Sequence, residues 1–146
     1  MDKDFLAKLE EENEAFEQEM MKWMKEWGET GPVLQIPEGT KIIETGAYAG
    51  RENIAKVVIP EGVVEIGDEA FIFCDQLISV TLPSTLKKIG KSAFQECVNL
   101  TEINFPEGLK EIEMAAFCNC LSLEVPILPE TVKVGEIAFH HTKTTN

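Results

Sequence analysis

Five prolines stand 23 residues apart, at Pro37, Pro60, Pro83, Pro106 and Pro129. A fixed period of this length marks a stacked repeat, because a unit so short cannot bury its own apolar side chains. Other columns keep the same phase. Six residues past each proline come Ile43, Ile66, Ile89 and Ile112. Ten past come Ala47, Ala70, Ala93 and Ala116, each followed by a ring: Tyr48, Phe71, Phe94 and Phe117. Cys74, Cys97 and Cys120 share a later column, and Ile54, Leu77, Leu100 and Leu123 another. Chance does not hold so many columns in register.

Within each unit a short alternating stretch precedes the proline, as in Leu77-x-x-Val80-x-Leu82 and Leu100-x-x-Ile103-x-Phe105. Alternation over that length predicts a strand with one buried face. Proline then ends it, having no N–H to give to a ladder. Pro-Glu-Gly and Pro-Ser-Thr supply turn chemistry. A second short extended or turn stretch carries Ile66-Gly67 and Ile89-Gly90. The Ala-Phe pair after it suits a short helical or 3₁₀ turn that drops a ring into the core. The fold expected is therefore an α+β solenoid: a right-handed coil with one short parallel strand per repeat, about five repeats long. Phe71, Phe94 and Phe117 should stack as a ladder, with Tyr48 and Phe139 at its ends.

The run Ile59-Pro60-Glu61-Gly62-Val63-x-x-Ile66-Gly67-x-x-Ala70-Phe71-x-x-Cys74-x-x-Leu77 resembles the BspA-like, Treponema-type leucine-rich repeat. The resemblance runs from Leu34 to Phe139. It implies a curved solenoid with a parallel sheet on its concave side. It also implies a bacterial protein that binds other proteins at the cell surface.

The ends are less regular. Phe5, Leu9, Phe16, Met20, Trp23 and Trp27 recur at helical spacing and predict one amphipathic helix over 3–27. Residues 1–30 hold ten acidic and four basic residues, so this segment is strongly acidic. Such a helix could cap the first coil, or pair with another chain through Trp23, Met24 and Trp27. The domains expected are thus this helix at 1–30, the repeats at 31–141 and a polar tail at 142–146. At the far end, Phe139 lies one residue closer to its proline than the other rings do. A shortened last coil either closes the solenoid or leaves an edge for a homodimer.

A formal charge of −13 repels phosphate backbones and anionic headgroups. Direct nucleic-acid or membrane binding is not expected. No apolar run is long enough to span a bilayer, and the start lacks the basic and apolar stretches of a secretory leader. The expected location is cytoplasmic, or extracellular if a leader has been removed. Catalytic chemistry is thinly represented: two histidines, no phosphate loop and no nucleophile motif. Cys118 and Cys120 with His140 and His141 could be imagined around zinc, but Cys-x-Cys is not a usual ligand pair. Structural, buried thiols fit the cysteine column better. No cofactor, metal or catalysis is expected.

Binding should therefore use the concave sheet, at the strand positions that point away from the core. These are Lys56, Val58, Ser79, Thr81, Glu102, Asn104 and Ile127, a mixed and nearly uncharged strip. The expected function is a non-catalytic protein-binding module. The alternatives are a homo-oligomeric structural protein, built through the helix or the last coil, and an acidic decoy of a basic, nucleic-acid-binding protein.

Overall fold

The structure, a computed structural model, describes residues 33–143. The helix expected over 3–27, with Trp23, Met24 and Trp27, lies outside the described residues. The described chain winds through nine short strands. They are β1 (Val33–Gln35), β2 (Ile42–Ile43), β3 (Lys56–Val58), β4 (Glu65–Ile66), β5 (Ser79–Thr81), β6 (Lys88–Ile89), β7 (Glu102–Ile103), β8 (Glu111–Ile112) and β9 (Lys133–Val134).

These strands form two parallel sheets, not one. The first runs β1-β3-β5-β7 and the second β2-β4-β6-β8-β9. The expectation of a single strand per repeat is corrected on this point. The Ile-Gly stretch pairs in register with its neighbours, Glu65 with Lys88 and Ile66 with Ile89. Only two residues per coil take part, so alternation there is too short to read as a strand.

The Ala-Phe turn is not helical either, and no described residue is in a helix. The N–H groups alternate in direction along this arc. Those of Glu69, Phe71 and Phe73 donate to the next coil, at Lys91, Ala93 and Gln95, over 2.8, 2.8 and 2.9 Å. Those of Ala70, Ile72 and Cys74 close turns within their own coil, on Gly67, Glu69 and Phe71. A helix would send every N–H back along its own chain. Alternation needs left-handed residues, and two per coil take that conformation. Gly46 and Gly50 do so in the first coil; Glu69 and Phe73 follow in the second, with φ of 58° and 61°. Glycine accepts this region without cost, whereas residues with a Cβ are strained there. The last coil places Ile137 in it, at φ 52°.

The core is a set of columns. Ring centroids lie 5.3 Å apart from Tyr48 to Phe71, 5.1 Å to Phe94, 5.1 Å to Phe117 and 5.3 Å to Phe139. Neighbouring planes are within 14° of parallel. Phe105 meets Phe117 edge-on at 5.5 Å. Phe71, Phe94 and Phe117 are wholly buried, as are Ile66, Ile89 and Ile112. The shortened last coil keeps this register. Glu111 pairs with Lys133 and Ile112 with Val134, an offset one residue less than elsewhere. Val132 still closes its turn on Pro129, so the omitted position is the one that Lys41, Val64, Lys87 and Lys110 hold. That position points to solvent, which is why its loss leaves the ring ladder intact.

Polar side chains repeat the same logic outside the core. Lys88 of β6 bridges two coils, 2.9 Å from Glu113 and 3.4 Å from Glu65. The Glu113 carboxylate, and then Glu65, hold its ammonium charged above the usual lysine range. Glu61 accepts hydrogen bonds from the Ser84 N–H and hydroxyl, 3.0 and 2.7 Å away, which pull its carboxyl below the ordinary range.

Two substitutions test this packing. Phe94→Ala removes a ring from the middle of the ladder and should cost about 3–5 kcal/mol in urea unfolding; a loss under about 1 kcal/mol would contradict the ladder. Ile137→Gly relieves a β-branched residue held at positive φ, with its side chain half exposed. It should raise stability by about 0.5–1 kcal/mol, and a fall in the urea midpoint would show that the turn is not strained.

Candidate functional site

The first sheet turns every second residue outward. Leu34, Val57, Val80 and Ile103 face the core. Val33, Lys56, Ser79 and Glu102 align in one outward row, and Gln35, Val58 and Thr81 in the next. The structure thus brings Lys56, Val58, Ser79, Thr81 and Glu102 onto one face. It adds Val33 and Gln35 of β1, which sequence reasoning missed. Their place 23 residues before Lys56 and Val58 was the available signal.

Asn104 has a second task. Its amide oxygen accepts from the Leu82 N–H at 2.9 Å, and its amide N–H₂ donates to the Leu82 carbonyl at 3.1 Å. The side chain thereby does the work of a peptide group at the end of the ladder between β5 and β7. Leu82 is buried, so its N–H has no ready replacement partner.

Ile127 does not join this face. The fifth coil contributes no strand to the first sheet, and Ile127 stands 97 % exposed. The cause is Pro126, which occupies the column of Val57, Val80 and Ile103. Proline holds φ at about −65°, away from the more extended backbone of a parallel strand, and has no N–H to give to a ladder, so a central strand position does not suit it. Where this coil leaves the sheet, a groove of about 510 Å³ opens. Ser79, Thr81, Glu102, Asn104, Val125 and Pro126 line it.

The thiols lie elsewhere. Cys74, Cys97 and Cys120 are fully buried, one above another. Each S–H donates to the carbonyl of the ring residue one coil earlier: Tyr48 at 3.4 Å, Phe71 at 3.2 Å and Phe94 at 3.1 Å. A small side chain with a weak donor suits this column. Burial pushes the Cys120 thiol up to about 12. The hydrogen bond with Cys74, and then burial, raise that of Cys97 well above its usual value. The four residues imagined around zinc do not converge. Cys120 is engaged in the core, and the His141 Nδ1 lies 2.9 Å from the Asn119 amide oxygen. Among the described residues no three His, Cys, Asp or Glu side chains are grouped to hold a metal ion.

A coil of 23 residues carrying two parallel sheets and a stacked ring column is a repeat solenoid of the leucine-rich class. The chain belongs to the BspA-type leucine-rich-repeat family, whose model matches residues 32–146 with six copies. A leucine-rich-repeat protein of Treponema pallidum is similar, at 33 % identity and a TM-score of 0.72. The match covers 78 % of this chain and 56 % of that one. A leucine-rich cell surface protein of Faecalibacterium prausnitzii gives 33 % identity and a TM-score of 0.71, over 79 % of this chain and 32 % of that one. The pneumococcal vaccine antigen PcpA gives 29 % and 0.64, over 77 % and 28 %. The chain thus spans little more than half of the first of these proteins and about a third or less of the others. No curated protein matches it by sequence.

Two measurements test these assignments. Asn104→Asp replaces the donor to the Leu82 carbonyl with a charge and should cost about 1–3 kcal/mol at pH 7. Equal stability of the variant and the native chain at pH 7 would remove Asn104 from the ladder. Iodoacetamide at pH 8 should leave Cys74, Cys97 and Cys120 unmodified in the folded protein and label them after unfolding. Rapid labelling in buffer alone would contradict the buried column.

Proposed function

We propose that this chain is a non-catalytic protein-binding module, and that its partner docks on the outward face of the first sheet. The observation that carries this is the pair of outward rows, Val33-Lys56-Ser79-Glu102 across four strands and Gln35-Val58-Thr81 across three, in strict register. That face is rigid, because every residue beneath it is packed in the core. Its charges are few, against −13 for the whole chain. A fixed surface of mixed polarity with little charge to desolvate suits a protein interface. The cell surface protein and the vaccine antigen with similar folds belong to the kind of protein for which such a face is useful.

The test is capture of partners from a native bacterial lysate, read by mass spectrometry. The double variant Lys56→Glu, Thr81→Lys should lose capture by about tenfold or more, with an unchanged melting curve. The pair Lys87→Glu, Lys110→Glu lies next to the second sheet and should bind as the native chain does. Unchanged capture by the first variant, or equal loss by both, would remove the first sheet from the interface.

A further inference from the structure

The first sheet stops at β7, although the solenoid continues past it. Glu102 donates its N–H to the Ile78 carbonyl at 3.1 Å, towards the third coil. Backbone groups alternate in direction along a parallel strand. Those of Ile103 therefore face the fifth coil. The preceding levels use this side fully: the Ile59 N–H reaches the Thr81 carbonyl at 3.0 Å, and that of Leu82 the Asn104 amide at 2.9 Å. Among the described residues, no backbone hydrogen bond joins 101–105 to 124–128. Pro126 has drawn that segment away, and the groove of about 510 Å³ lies over the gap.

We propose that this edge of β7 receives an extended peptide segment of a protein partner, which supplies the strand that the fifth coil withholds. This rests on the reading of the first sheet as the binding face. The N–H and carbonyl of Ile103, unpaired side by side at a strand edge, match the spacing of another extended backbone. The groove also states what side chains would suit. Val125 and Pro126 line it, with Val125 39 % exposed, which favours an apolar residue of the peptide beside them. Glu102 has no ion-pair partner among the described residues, whereas Glu124 lies 3.8 Å from Lys143. A lysine or arginine of the peptide fits opposite Glu102. The partner segment is thus extended, apolar on one side and basic where it crosses β7.

The probe is an array of synthetic peptides of roughly ten residues, enough to span a strand with margins. Full-length protein is applied, and the tightest peptide is then titrated. Bound sequences should be enriched in lysine or arginine together with β-branched residues. Methylating alternate backbone nitrogens of that peptide should weaken it about tenfold or more, with little effect from the intervening ones. Glu102→Lys should weaken it comparably and leave the melting curve unchanged. No bound peptide, indifference to N-methylation, or full binding by Glu102→Lys would each overturn the proposal. A dimer in light scattering that Glu102→Lys dissociates would assign the edge to a second copy and overturn it too. Failure at this edge leaves the wider face standing if Lys56→Glu, Thr81→Lys still loses its captured protein.

Discussion

One constraint governs the molecule: each coil must present its backbone to the next at a fixed offset. Three sets of bonds impose it together, at the first sheet, at the second sheet and along the ring-bearing turn. A residue inserted on a core-facing arc would break all three downstream. A residue lost from the solvent-facing turn leaves the second sheet and the ring ladder paired, as the last coil demonstrates. Backbone bonds set the spacing, and the rings then stack because their anchors are already one coil apart. The left-handed residues belong to the same account. They are strained, but they let alternate N–H groups reach the neighbouring coil, and that pairing would be lost in a relaxed helical turn.

Much of this is legible in the sequence because every level repeats one environment. Pro37 to Pro129 give the period, and Phe71, Phe94 and Phe117 give the ladder. The cysteine column is equally visible, as a small residue recurring beneath the rings. The second sheet is not, because its strands are two residues long and carry almost no alternation. The turn geometry was hinted at only by Gly46 and Gly50. Later coils place Glu69, Phe73 and Ile137 in the same conformation, and their side chains give no sign of it.

The outward face of the first sheet is legible to the same extent. Lys56, Val58, Ser79, Thr81 and Glu102 follow from strand alternation alone. Asn104 looked like another outward residue, yet its amide completes the ladder at Leu82. That role depends on where the neighbouring backbone lies, which periodicity does not report. Ile127 was assigned by phase, and phase misleads there. Pro126 one residue earlier carries the contrary signal, since proline in a central strand column argues against a strand. Where the repeat is obeyed, the strands pair in register. Where Pro126 breaks it, the chain opens a groove beside an unpaired edge.

That break is the feature on which the functional account turns, and amide hydrogen exchange resolved by residue measures it directly. Val57 and Val80 should be protected to near the global stability of the fold. Ile103, in the same column one level on, should exchange orders of magnitude faster, together with Val125 and Ile127. Equal protection of Val80 and Ile103 would mean that the first sheet continues through the fifth coil, and the account of its edge would fail.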